Sequence, residues 1–580
     1  MRITTLAKGP SPTTSGHGIK WLVLISALAL TLVAAACSSS STVADPTPSP
    51  TSESKAPPSS AGTTSTPSGE EAQAAPKDSQ NGGTLRRLFS NPPTLDPHLT
   101  TDATSAAIIV EIFGGLVTIN PQLEIVPDLA ERWDVSDDGT VYTFFLRNDA
   151  IFHNGRPVIA EDIKWSLERA SDAVTESLVV DQYLGDIVGV REKLLGQARE
   201  IEGVRVIDPR TIEITIDQPK SYFLAKLTYP TAFVLDRENV ESGRRWVRNP
   251  NGTGPFKLAE YVPGEILVLV RNPVYHLGPP FLDKVELILS GGTSMLMYEN
   301  DEIDITGVGL VDIERLSDDS NPLNAELKKA NPTFSTNYIG MNTSEPPFDD
   351  PKVRQALNYS INREEIASLV LADLVTPARG ILPPGFPAFN DQLQGYNYNP
   401  DKARELLRES KYGDDLDNFP PIILTVSGGF GASVGLDLEV ILESWRQELG
   451  IIVGIQQTEF ATYLQDLHKG RFQMFEAGWI ADYPDPENFL DLLFFTGGNN
   501  NQSRYSNLDV DQILVRARTE RDVDTRHQLY QQAEELIVAD APWIPLWHSG
   551  EQYVLVKPKV KDYYLTQLVV PRLRFVRIVE

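Results

Sequence analysis

A single cysteine, Cys37, occurs in the 580 residues of this chain. No disulfide can form within it and no site needing several cysteine ligands can be built, so whatever folds is held by packing. After Cys37 the sequence divides. From Ser38 to about Gln80 it is mostly Ser, Thr, Pro and Ala, with almost no large apolar side chains. Such a stretch cannot offset the entropy of ordering and is expected to stay disordered, its prolines making an extended spacer. From about Gly82 onward the composition is globular. That body, residues 82–580, exceeds the roughly 250–300 residues at which a single core stops growing, so two lobes are expected. The net charge of −28 argues against nucleic acid or anionic lipid as partner, since both reward basic patches.

The segment before Cys37 reads as a secretory signal. Arg2, Lys8 and Lys20 precede an apolar run from Trp21 to Ala36, which Cys37 closes in Ala34-Ala35-Ala36-Cys37. A basic start, a short apolar stretch and small residues before a cut site have that meaning, and the run is shorter than the roughly 20 residues of a membrane span. The last four residues resemble a bacterial lipobox with Ala34 where Leu is usual. The resemblance implies lipid attached to Cys37 and a protein held at the outer face of the cytoplasmic membrane or in the periplasm, touching the membrane through that lipid only.

Within the body, strand and helix signals alternate, giving a mixed α/β class. Ile212, Ile214 and Ile216 alternate with polar residues and predict a strand over 211–217. Val141–Arg147 and Val285–Leu289 read the same way. Asp350-Pro351, Asn362-Arg-Glu-Glu365 and Asn399-Pro400 are helix starts, each with a capping side chain and two with Pro in the first turn. A further helix is expected over 525–538. Pro127–Trp133 reads as a short helix with a buried Trp, and His153–Pro157 as a turn opened by Gly155.

Taken in order, the motifs resemble a known family. They are Asn91-Pro-Pro-Thr-Leu-Asp-Pro97, Pro127-Asp-Leu-Ala-Glu-Arg-Trp133, Phe152-His-Asn-Gly-Arg-Pro157, Asn251-Gly-Thr-Gly-Pro-Phe256, Pro347-Phe-Asp-Asp350 and Gly478-Trp-Ile-Ala-Asp-Tyr-Pro-Asp-Pro486. The chain is similar to the extracytoplasmic solute-binding proteins of ABC importers, in the branch that takes peptides, dipeptides, nickel and related solutes. The resemblance implies a two-lobed, hinged binding-protein fold. Residues 82–335 and 547–580 would form a first lobe with an extra subdomain near 126–226, and 336–546 the second. It implies no enzyme activity and no cofactor, and a monomer that hands a peptide or other small solute to permease and ATPase subunits.

Its site residues follow from the same resemblance. Asp482 would receive a ligand ammonium between Trp479 and Tyr483, with the backbone at Gly478 pairing with an extended peptide. Phe460 would line the cleft, and Tyr338 would sit where the chain crosses between lobes. Glu476 stands where some relatives carry an arginine for a peptide's carboxylate, so the far end of the ligand is expected to be amidated, cationic or long. Two other classes stay open on residues alone. One is a surface receptor or adhesin on the same fold. The other is an extracellular hydrolase, for which neither a Gly-x-Ser-x-Gly elbow nor a His-Glu-x-x-His motif is present.

Overall fold

A computed structural model describes residues 82–413, 415–428 and 434–579. Cys37, the segment before it and the Ser/Thr/Pro-rich stretch lie outside the described residues. Among the described residues no helix is long and apolar enough to cross a membrane.

Local rules account for many of the elements. Ile212 and Ile214 are fully buried on one face of the strand Thr211–Thr215, with half-buried residues between them. Asp350 accepts a hydrogen bond from the Lys352 N–H and opens the helix Pro351–Tyr359. Asn362 accepts from the Glu365 N–H and donates back to its carboxylate, a reciprocal cap for Arg363–Leu369. Asn399 does the same work for Pro400–Glu409 through the Lys402 N–H. The helix expected over 525–538 forms over Val523–Asp540. At Gly155 φ is +92°, as the turn requires. Pro127–Trp133 differs from expectation. Ala130–Val135 is a strand and Trp133 is half-buried, because its backbone pairs with Val141–Leu146 rather than closing on itself.

Three larger sheets organise the body. A seven-stranded sheet runs in the order Leu327–Ala330, Gln552–Val556, Ile305–Gly307, Thr84–Leu88, Lys284–Ile288, Ile266–Arg271, Phe256–Val262. A four-stranded antiparallel sheet of Ala130–Val135, Val141–Leu146, Thr211–Thr215 and Val204–Asp208 stands with it in the first lobe. The second lobe is built on six strands in the order Val375–Pro377, Trp543–Ser549, Ser335–Met341, Met474–Ile480, Ile422–Ser427, Val453–Thr458. The chain passes from the seven- to the six-stranded sheet through 331–334 and returns through Gly550 and Glu551. Those crossings lie beside the expected boundaries at 335/336 and 546/547, and both Ser335–Met341 and Trp543–Ser549 belong wholly to the second lobe's sheet.

The six- and seven-stranded sheets each have their own core. Trp445 is fully buried in the second lobe, its ring N–H donating to the Leu357 carbonyl at 3.1 Å. Leu85, Ile109 and Phe256 lie at the centre of the first. A third buried cluster is shared. It joins Phe144, Tyr183 and Phe223 of the first lobe to Tyr483, Phe489 and Tyr530 of the second, so the lobes meet through packed side chains beside the site.

Candidate functional site

The strand Met474–Ile480 carries the site. One edge pairs along its whole length with Ser335–Met341, from Ser335 opposite Ile480 to Met341 opposite Met474. The other edge pairs with Ile422–Ser427 only at Met474 and Phe475. Among the described residues, no strand lies along that edge from Glu476 to Ile480. Alternation puts Phe475, Ala477 and Trp479 toward the cluster shared by the lobes, with Met474, Glu476 and Gly478 on the opposite side. Gly478 is exposed opposite Asn337, and a Cβ there would come within 2.6 Å of the Asn337 Oδ1.

Past the strand, Ala481 donates to the Phe334 carbonyl at 2.8 Å and the chain turns through Pro484-Asp-Pro486 into the helix Glu487–Phe494. Asp482 lies in that turn and is held from three directions. Its N–H donates to the Asn488 Oδ1 at 3.0 Å. The Asn488 amide N–H donates to the Asp482 Oδ2 at 3.1 Å, and the Tyr183 hydroxyl, from the first lobe, donates to the same oxygen. The other oxygen, Oδ1, accepts no hydrogen bond among the described residues. Burial pushes the carboxyl up from 3.8 to about 6, while the Tyr183 and Asn488 bonds pull the other way. No cation pairs with it among the described residues. Asn488 is fully buried and also accepts the Trp479 ring N–H at 3.2 Å, so one amide orients both the aromatic wall and the carboxylate.

Aromatic rings enclose this carboxylate. Tyr183 stacks on Tyr229 at 3.8 Å with 6° between planes, and meets Tyr483 edge-on at 6.5 Å. Tyr483 is fully buried and its hydroxyl donates to the Glu487 Oε2 at 2.6 Å; it backs the site rather than lining it. Phe460 begins the helix Phe460–His468 and is half-buried. Three residues on, Tyr463 donates to the Glu476 carbonyl at 2.6 Å, which lays this helix against the strand. Tyr338 is only 2% exposed and stacks on Trp543 at 3.3 Å and 7°. The structure thus places Tyr338 inside the sheet's packed face, away from the crossings and from open cleft surface, because its register opposite Ala477 turns the ring inward.

Glu476 is reached by solvent yet crowded by protein, which pushes its carboxyl up from 4.5 to about 7; Asp437 adds to the shift. Asp437 in turn accepts the Trp547 ring N–H at 3.1 Å. Sequence reasoning missed Tyr183, Tyr229 and Asn488. The two tyrosines come from about 250 to 300 residues away and leave no local signal. Asn488, in the first turn of the helix after Pro486, was within reach of a capping argument.

Residues 124–501 match the family described as bacterial extracellular solute-binding proteins, family 5. The chain belongs to this family. It is 30% identical to the periplasmic oligopeptide-binding protein OppA of Escherichia coli, over 83% of this chain and 89% of OppA. The structure of the E. coli murein tripeptide binding protein MppA superposes with a TM-score of 0.78 at 28% identity, covering 86% of this chain and 99% of MppA. An unliganded open form of MppA, at the same 28% identity and covering 87% and 98%, gives only 0.62. As a family 5 solute-binding protein the chain is a binding protein rather than an enzyme.

Proposed function

We propose that this protein captures a peptide, or a small solute with the same charged start, in the cleft between its lobes and delivers it to the permease and ATPase subunits of an ABC importer. The observation that carries the reading is the Asp482 carboxylate, desolvated and, among the described residues, unmatched by any cation, at the end of a strand whose other edge carries no partner strand past Phe475 among those residues. A ligand ammonium approaching Oδ1 supplies the missing charge, and in a dry site that attraction far exceeds its value at a surface. An extended peptide laid along Glu476–Ile480 adds a strand, gaining affinity from its backbone without regard to side chains. Trp479 then flanks the first residue and Phe460 stands farther along. Closure buries the ligand, and its greater affinity for the closed arrangement drives the lobes together.

The relatives' names support a peptide ligand: OppA is an oligopeptide-binding protein and MppA a murein tripeptide binding protein. Native mass spectrometry of the purified protein tests the reading directly. Peptides carried through purification, and released on mild denaturation, are expected; a retained solute with no amino group would overturn the ammonium assignment. We further propose that the protein acts as a monomer tied to the membrane by acylated Cys37. Cys37→Ser should move it from the membrane fraction into the soluble extracytoplasmic fraction with binding intact, and a variant still in the membrane fraction would defeat that part.

A further inference from the structure

Two consecutive residues at the start of the helix Glu487–Phe494 face different partners. Asn488 holds the ligand-facing carboxylate Asp482 and the Trp479 ring, as described above. Glu487 reaches across to the first lobe, where its Oε1 meets the Lys226 ammonium at 2.9 Å. Both side chains of that pair are 5% exposed. Lys226 also bonds the Asp186 Oδ2 at 3.0 Å, and Asp186 is matched on its other oxygen by Lys220 at 2.6 Å. Adjacent residues of a helix point about 100° apart, as 3.6 residues per turn requires. One turn of backbone therefore carries both the contact between lobes and the mount of the ligand anchor.

The charges make this arrangement conditional on closure. A buried ion pair is costly to desolvate and is favourable only when both partners are in place. With the lobes apart Lys226 keeps Asp186, whereas Glu487 loses its cation. The pair thus forms fully only when the lobes meet. When it forms, Glu487 is fixed between Lys226 and the Tyr483 hydroxyl. That fixes the first helical turn, hence the Asn488 amide and the orientation of Asp482.

We infer that the Lys226–Glu487 pair is a positioning device that aims Asp482, through Asn488, at the ligand's ammonium when the lobes close. The inference rests on the peptide reading given above and adds to it. Closure and anchor orientation are one coupled event, so recognition of a free amino terminus is sharpest in the closed state.

The test separates this coupling from simple loss of a latch. Two probes are used with the full-length protein: a pool of random tetrapeptides with free amino termini, and the same pool N-acetylated. Peptide retained through gel filtration is counted by mass spectrometry, and the ratio of free to acetylated retention is the readout. Asn488→Leu, which removes the mount itself, should bring the ratio close to one. Lys226→Met and Glu487→Gln, neither of which touches Asp482, should each lower the ratio by about threefold or more, within the range of indirect coupling energies. Weaker retention of both pools with an unchanged ratio would mean a latch or a general structural role, and would overturn the proposal. Should Lys226→Met fail to fold, Glu487→Gln decides the matter, because it keeps the side chain's shape and its contact with Tyr483. A wild-type protein that retains neither pool would instead defeat the peptide reading, and this inference with it.

Discussion

Asp482 and Glu476 lie six residues apart, one just beyond the strand Met474–Ile480 and the other within it, and both carboxyls are pushed above their ordinary range. Their surroundings differ in kind. Asp482 is given two donors, from Tyr183 and Asn488, both on a single oxygen, which leaves the other oxygen free and the charge uncompensated. Among the described residues Glu476 has no cation either, and the charged neighbour that shifts it is another carboxylate, Asp437. Under the proposed function the first is a receptor: the protein desolvates a charge and supports it on one oxygen, with no donor on the other among the described residues. The second is a charge that the fold tolerates because water still reaches it. A raised carboxyl alone therefore says little about function. The donors placed around it say more.

The comparison breaks most directly at Asp482. Asp482→Asn keeps the shape and the packing against Trp479 and Asn488 and removes a desolvated charge, so the melting temperature at neutral pH should hold or rise. Affinity for a free-amine peptide should fall by about 2–4 kcal/mol, the usual cost of removing one partner from a desolvated charge pair. Titration calorimetry on an identified peptide measures it. Unchanged affinity would show that the ammonium is received elsewhere.

How much of this was legible in the sequence depends on how local each signal was. The helix starts at Asp350, Asn362 and Asn399 are set by contacts two or three residues away and could be read directly. The strand Thr211–Thr215 announces itself by alternation. Pro127–Trp133 misled because a lightly buried strand with charged residues on it shows no clear period; its pairing with Val141–Leu146 decides its form. The place of Asp482 was visible from its flanking Trp479, Tyr483 and prolines. Its environment was not, since Tyr183 and Lys226 arrive from the other lobe. The face that Tyr338 takes was not legible either, because only the register with Ala477 and the stack on Trp543 turn its ring inward.

Acidity offers a second way to sharpen the contrast. In the unliganded protein the Asp482 carboxyl titrates near 6, against an ordinary 3.8. A bound ammonium holds it ionised, so ligand binding must expel a proton below that pH. Affinity for a free-amine peptide should therefore weaken by about tenfold, or 1.4 kcal/mol, for each pH unit below 6, and level off above 7. The same shift has an opposite sign for the empty protein. Its folded state holds the proton more tightly than the unfolded chain, so Asp482 costs stability as pH rises from 3.8 to about 6. Burial also raises the Glu476 and Glu487 carboxyls above their ordinary range, and the N-acetylated peptide is the control that separates them. It needs no charge at Asp482, so its affinity should lack the slope below pH 6. Parallel slopes for both peptides would assign the effect to those other carboxyls.

Glu476 should give the smallest effect. Two like charges about 5 Å apart at an effective dielectric of about 20 repel by roughly 3 kcal/mol, about a hundredfold in affinity. The structure reduces that figure for two reasons. Glu476 is reached by solvent, where two unit charges about 4 Å apart interact by only about 1 kcal/mol, and its carboxyl titrates near 7, so it is only partly charged at neutral pH. At pH 8, where Glu476 is ionised, a peptide long enough to end beside it should bind about fivefold more tightly as the C-terminal amide than as the free acid, close to that 1 kcal/mol. At pH 5 Glu476 is neutral and the preference should vanish. Glu476→Gln should abolish it at both pH values while leaving the melting temperature nearly unchanged. The direction of the pH dependence is the decisive part, because a carboxylate elsewhere in the cleft with an ordinary titration would still repel at pH 5. A preference for the amide that persists at pH 5, or that survives Glu476→Gln, would place the discriminating group elsewhere and leave Glu476 a bystander on the strand.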